Sequence, residues 1–225
     1  MATILENVQG VKARIARAAR AAGRDPESVT LLAVSKTHPA TRVAEAQAAG
    51  LRAFGENYVQ EALQKMQSVS GVEWHLIGAL QSNKSRLAAE RFDWVQTVDR
   101  VRIANRLSEQ RPADLPPLNV LIEVNISGEA SKSGVAVKEV TELARAIARL
   151  PRLRLRGLMA IPAPGAAGDF AKMRQLYEKL RAQFGFDTLS MGMSDDMDRA
   201  IAAGATMVRI GTAIFGARRT EESPA

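Results

Sequence analysis

The chain contains no cysteine. That excludes a disulfide framework, a cysteine nucleophile and any thiolate-bound metal. Histidine is almost as scarce, with only His38 and His75, too few and too far apart for a histidine-rich metal centre. Aromatic residues make up 4% of the sequence, so the interleaved basic and aromatic side chains on which single-stranded nucleic acids stack are missing. No run of about 18 apolar residues occurs, which excludes a transmembrane helix. The opening MATILENVQG lacks the basic start and apolar core of a secretory signal. A soluble cytoplasmic protein is expected, with no membrane or nucleic-acid partner.

What is present is enough to fold. A chain of 225 residues that is 46% hydrophobic can bury a full core without disulfide or metal staples. Its net charge is +7, from 31 basic and 24 acidic residues. The basic residues are mostly arginines, spread from Arg14 to Arg219; the densest cluster is Arg152, Arg154 and Arg156, alternating with Leu153 and Leu155. A dispersed positive charge fits an anionic small ligand better than a polynucleotide. No internal repeat stands out, and the loop-like stretches RPADLPP and PAPGAAGD are too short to separate domains. One domain spanning residues 1–225 is expected.

Helical and strand periodicities alternate along the chain. Ile4, Val8, Val11 and Ile15 recur at helical spacing up to Gly23, predicting an N-terminal helix. Eight short apolar runs follow, at residues 29–35, 53–57, 73–78, 94–99, 119–126, 153–161, 188–193 and 207–216. Between them lie seven helical patterns, at 41–49, 59–68, 82–90, 100–110, 137–150, 170–184 and 195–203. Strands buried on both faces and joined by crossover helices read this way. The expected fold class is α/β, a (β/α)8 barrel over residues 29–218 preceded by a helix over 1–23. A doubly wound sheet is the alternative, but no glycine-rich turn follows the first strand.

In such a barrel chemistry gathers at the C-terminal ends of the strands. The first strand ends in Ser35-Lys36-Thr37-His38, and alternation puts Leu32, Val34 and Lys36 on one face. If Leu31, Ala33 and Ser35 face the helices, Lys36 points into the barrel mouth. An amine desolvated there can attack a carbonyl to form a Schiff base; otherwise Lys36 simply opens a solvated loop. On the last strand Val208 and Ile210 suit the helix side, leaving Arg209 and Gly211 inward, with Thr212 adding a hydroxyl. Ser194 reads as an N-cap for a helix beginning at Asp195, yet free amides there could also hold a phosphate. Loops after strands seven and eight are a frequent phosphate site in these barrels. Glu123 and Asn125 share the inner face of strand five, as ligand contacts or as a buried hydrogen-bond network. Asn57 and His75 are weaker candidates. Asp195, Asp196 and Asp198 are better read as complementing a helix dipole than as a metal cluster. Met191 and Met193 read as packing residues.

The segments AVSKTHP, FGENYVQE, WHLIGALQSNK, SKSGV, GLMAI, LSMGMSDD and RIGTAIFGAR resemble the pyridoxal phosphate homeostasis proteins, relatives of the barrel domain of alanine racemase. The resemblance runs from about Val29 to Arg218. It implies that Lys36 carries pyridoxal 5′-phosphate (PLP) as a Schiff base, with Ser194, Gly211 and Thr212 on the phosphate. It also implies that Arg209 faces the pyridine nitrogen and that Asn57 lines the cofactor. Lys132 matches a loop lysine implied to help move the cofactor. The family is described as binding and buffering PLP, and as passing it to PLP-dependent apoenzymes, without a firmly established catalytic activity. An arginine at the ring nitrogen, being a permanent cation, disfavours the protonated ring that carbanion chemistry needs. Racemases with that arrangement compensate with two opposed bases, whereas Tyr58 and Tyr177, the only tyrosines, fall in predicted helices. With Ala225 closing the sequence soon after strand eight, no further domain is expected to supply one.

Three readings therefore stand: a non-catalytic PLP carrier anchored on Lys36, a PLP-dependent amino-acid racemase, and a Schiff-base aldolase acting on a phosphorylated substrate. A closed barrel leaves no open edge, so a monomer is expected.

Overall fold

The computed structural model describes residues 2–129, 132–163 and 165–217. Ser131 of SKSGV and Arg218, the expected end of the barrel, lie outside the described residues, as does Pro164 of PAPGAAGD. Eight parallel strands form a closed ring: β1 (Thr30–Val34), β2 (Ala53–Glu56), β3 (Glu73–Leu76), β4 (Trp94–Val98), β5 (Leu118–Asn125), β7 (Leu153–Met159), β8 (Thr188–Ser190) and β9 (Met207–Ile210). Sheet order runs β4-β3-β2-β1-β9-β8-β7-β5, and a β4–β5 pairing shuts the ring. A two-residue strand, β6 (Val135–Ala136), pairs with the end of β5 outside the ring; its brevity left no period to read.

Seven crossover helices pack around the ring: α2 (Ala40–Ala48), α3 (Val59–Met66), α4 (Ser85–Arg91), α5 (Val101–Gln110), α6 (Val140–Ile147), α7 (Ala167–Phe184) and α8 (Met197–Ala202). The expected barrel is therefore the observed one. The N-terminal helix α1 (Ile4–Ala21) starts at a Thr3–Glu6 capping box and buries Ile4, Val8, Val11, Ile15 and Ala19. Both orphan amides at its start are satisfied by that reciprocal pair. The stripe covers α8, α2 and α9 (Thr212–Phe215), so α1 closes the outside of the barrel beside its last two strands.

Several boundaries differ from expectation by a few residues, and two of these bear on the site. The last strand stops at Ile210, and Thr212–Phe215 turn as α9; the apolar Ala213-Ile214-Phe215 cannot be told from a strand by periodicity over so few residues. The helix expected from Asp195 starts at Met197, and its N-cap is Asp196, not Ser194. Asp196 Oδ1 instead accepts a hydrogen bond from Met193 N at 2.6 Å, and this local turn delays the helix.

Alternation sorts the barrel's side chains as the pattern implies. Ala33, Phe54, Val120, Ile122, Leu158, Val208 and Ile210 join the layer between strands and helices. Leu32, Ala53 and Met207 pack together inside the ring, as do Trp94, Leu121 and Met159. Gly157 is the tightest point of the wall. Its φ is +151°, and a Cβ there would overlap the carbonyl oxygen of Thr188, its partner across β7–β8. Gly157→Ala is expected to cost at least about 2 kcal/mol, read as a lower midpoint in urea unfolding with an unchanged slope.

Candidate functional site

The residues singled out at strand ends gather on one arc of the mouth. Asn57 follows β2, Lys36 follows β1, Arg209 lies on β9 with Gly211 and Thr212 just beyond it, and Ser194 follows β8. The ring order there is β2-β1-β9-β8, so these six positions occupy four consecutive strands. Register brings them closer still, with Leu32 paired to Arg209 and Ala33 to Ile210. A Cβ on Gly211 would sit 3.1 Å from Val34 O, which means that the last strand's end lies directly against the first strand's. The loop after β1 is tied to α9 by His38 stacked on Phe215 at 5.1 Å and by Arg42 Nη2 donating to Phe215 O. Lys36 is half-buried, in the turn that follows β1.

Arg209 is 4% exposed. Its guanidinium donates to Ser190 Oγ and to Ala160 O, both at 2.9 Å. Burial lowers its pKa to about 10, opposed by the charges of Glu123 and Asp196, so it remains a cation at neutral pH. Ser190 Oγ donates in turn to Gln96 Oε1 at 2.7 Å, and Gln96 Nε2 lies 3.0 Å from His75 Nδ1. His75 stacks on Trp94 at 5.0 Å, and burial lowers its pKa. A chain of hydrogen bonds thus crosses the barrel interior and ends on Arg209. His75 belongs to the interior network and stands apart from the mouth. Gln96 and Ser190 escaped the sequence reading, since a lone amide and a lone hydroxyl within apolar runs carry no distinguishing pattern.

Glu123 points inward next to this chain, and Asn125 turns to the loop that follows. Asn125 Nδ2 donates to Glu129 O and Lys132 O, and its Oδ1 accepts from Gly128 N, which folds the loop after β5. Lys132 Nζ sits 3.4 Å from Glu129 Oε1 and 3.4 Å from Ile161 O, bridging the loops after β5 and β7 at the rim. Ser194 contributes its carbonyl to Arg14 Nη1 at 2.7 Å, while Asp198 pairs with Arg14 at 2.8 Å; the N-terminal helix therefore holds the loop after β8. Asn57 lines a cleft of about 330 Å³ with Tyr58, Gly78 and Lys84. Tyr58 stands exposed just before α3, not inside it. Tyr177 is buried in α7 with its hydroxyl donating to Phe186 O.

Residues 7–219 match the family model of the alanine racemase N-terminal domain. A pyridoxal phosphate homeostasis protein from Escherichia coli K12 is 60% identical over 97% of this chain and 98% of its own length. The chain belongs to the pyridoxal phosphate homeostasis protein family. A member from Pseudomonas aeruginosa is 61% identical over 97% of each chain. The structure of PipY from Synechococcus elongatus with PLP bound is 35% identical, with a TM-score of 0.81 over 95% of this chain and 100% of that one.

In this member of the family, Glu123 offers a pH signature. Burial, reinforced by Asp99 and opposed by Arg209, raises its pKa from 4.5 to about 7. Between those values the folded chain holds a proton that the unfolded chain has released, so stability falls as pH rises from about 4.5 to about 7. Glu123→Gln is expected to flatten that slope, measured by thermal midpoints across the same window.

Proposed function

We propose that this chain binds PLP at the barrel mouth as a covalent adduct of Lys36 and serves intracellular PLP homeostasis as a carrier, not as a strong catalyst. The observation that supports the reading is the contiguity of β2-β1-β9-β8, with Gly211 lying against Val34 O, two residues before Lys36. A bound PLP supplies an aldehyde, a phosphate and an aromatic ring with one basic nitrogen. Lys36 holds the aldehyde carbon. Gly211, Thr212 and Ser194 hold the phosphate. Arg209 faces the ring nitrogen and Asn57 lines the ring. The donor set fits: two of the three phosphate positions carry hydroxyls, and the third is a glycine whose lack of a side chain lets the end of β9 lie against Val34 O.

Arg209 argues for a carrier. A cation held inside the barrel by Ser190 and Ala160 can neither accept a hydrogen bond from a protonated ring nitrogen nor offset its positive charge. That arrangement weakens the electron-withdrawing pull on which carbanion chemistry depends. Tyr177 is committed to Phe186 O and offers no base at the mouth. The named activity of the family members, homeostasis and not racemisation or aldol cleavage, supports the same choice. Residues 1–225 are read as one such unit, cytoplasmic and monomeric, handing PLP to apoenzymes.

Borohydride reduction of the PLP-loaded protein followed by peptide mass spectrometry is expected to place the modified amine at Lys36. Lys36→Ala loses the reducible adduct and the accompanying visible absorbance. A full complement of reduced cofactor in that variant contradicts the anchor, and rapid racemisation of alanine by the unaltered protein contradicts the carrier.

A further inference from the structure

Behind the anchor, on the helix side of β1 and β2, lies a cluster of three charged residues. Glu56 and Lys65 are buried, at 0% and 4% exposure. Lys65 Nζ donates to Glu56 Oε1 at 2.6 Å and to Glu61 Oε1 at 2.8 Å. The side-chain hydrogen bonds by which the cluster reaches outside itself end on the two neighbours of Lys36. Ser35 Oγ donates to Glu56 Oε1 at 2.5 Å, Lys65 Nζ donates to Ser35 O at 2.8 Å, and Thr37 N donates to Glu61 Oε1 at 2.5 Å.

Stability does not explain the cluster. A buried ion pair is commonly matched or bettered by apolar side chains of similar volume. Here Glu56 Oε2 is buried with no hydrogen-bond partner among the described residues, which adds an unsatisfied acceptor to the cost. Thr37 has φ +66° and is the one non-glycine residue with positive φ among those described. A β-branched residue enters that region against steric resistance, so something must hold it there, and Glu61 grips its amide. Strand geometry ends at Val34; beyond it Ser35 N donates to Gly55 O at 3.0 Å and His38 N to Ser35 O at 3.1 Å, and the side-chain hydrogen bonds of the cluster act on the same turn.

We infer that Glu56, Glu61 and Lys65 are positioning residues that clamp the peptide units on both sides of Lys36 and so aim its amine into the barrel. The inference rests on Lys36 being the covalent anchor for PLP. The clamp acts by removing the conformational freedom that Lys36 would otherwise lose on forming its adduct. Glu61 is the member to probe first, because it is partly exposed, at 24%, and can be changed without opening the core. A cleft lined by Thr37, His38, Glu61 and Lys65 opens to solvent there.

The test adds PLP to cofactor-stripped full-length protein and reads three quantities. These are the apparent Kd from adduct absorbance, the pH midpoint of that absorbance, and the fraction of Lys36 trapped by borohydride. Glu61→Ala is expected to weaken the apparent Kd by about tenfold, the worth of one charge-assisted hydrogen bond, and to shift the pH midpoint. Glu61→Gln, which keeps an acceptor for the Thr37 amide, recovers part of the affinity. The double variant Glu56→Leu with Lys65→Met removes the pair without stranding a charge and behaves like Glu61→Ala, with thermal stability kept or raised. Trapping at Lys36 in the unaltered protein, combined with unchanged Kd and pH midpoint in Glu61→Ala and the double variant, overturns the clamp alone. No trapping at Lys36 in the unaltered protein overturns both the clamp and the anchor.

Discussion

The site depends on the alignment of the first barrel strand with the last. Leu32 pairs with Arg209 and Ala33 with Ile210. From that register it follows that Lys36, two residues beyond β1, and Gly211, one beyond β9, leave the sheet on the same rim. Because side chains alternate, a slip of one residue would turn Arg209 to the helices and bring Ile210 into the mouth. Closure of the ring through β4 and β5 protects the register, since a ring without edges cannot shift one strand without breaking two ladders. The N-terminal helix adds a lock from outside: Arg14 grips Ser194 O and Asp198, and Asn7 donates to Ile214 O.

Polarity is distributed unevenly across the wall of the barrel, and each polar group sits where it directs another. Inside, His75, Gln96 and Ser190 form a chain that terminates on Arg209. Outside, Glu56 and Lys65 converge on Ser35. Both sets are buried, where an unpaired polar atom is expensive, and both end beside a residue proposed to meet PLP. The carrier reading follows from the same economy. A guanidinium fixed in two directions by neutral acceptors is well suited to holding a ring and poorly suited to activating it.

Much of this was legible before any coordinates. Apolar runs of strand length between helical stripes pointed to the barrel, and alternation along MVRIG turned Arg209 inward, where it is buried. Capping residues were harder. Ser194 has the right chemistry for an N-cap, but Asp196 took the position because its carboxylate could bond Met193 N. The segment 212–215 looked like more strand because Ala, Ile and Phe suit either state over one turn. Lys65 carried a faint signal, at the third place of the buried stripe Val59, Ala62, Lys65, where an apolar residue belongs. Glu56 carried another, a carboxylate inside a strand buried at every position. Neither identified the other, because helix and strand meet only after folding.

The sequence by itself determined the eight barrel strands and seven crossover helices in their order, and membership in a family whose motifs stand at almost every strand end. These are local properties, set by periodicity, turn chemistry and residue type within a window of a few residues. Tertiary structure alone decided which polar groups share a proton or a hydrogen bond: Gln96 with Ser190 across 94 positions, Arg14 with Asp198 across 184, Glu56 with Lys65 behind the anchor. Such partnerships depend on strand register and helix packing in three dimensions, and a hydrogen bond that works at 2.9 Å leaves no trace in the spacing of the residues that make it.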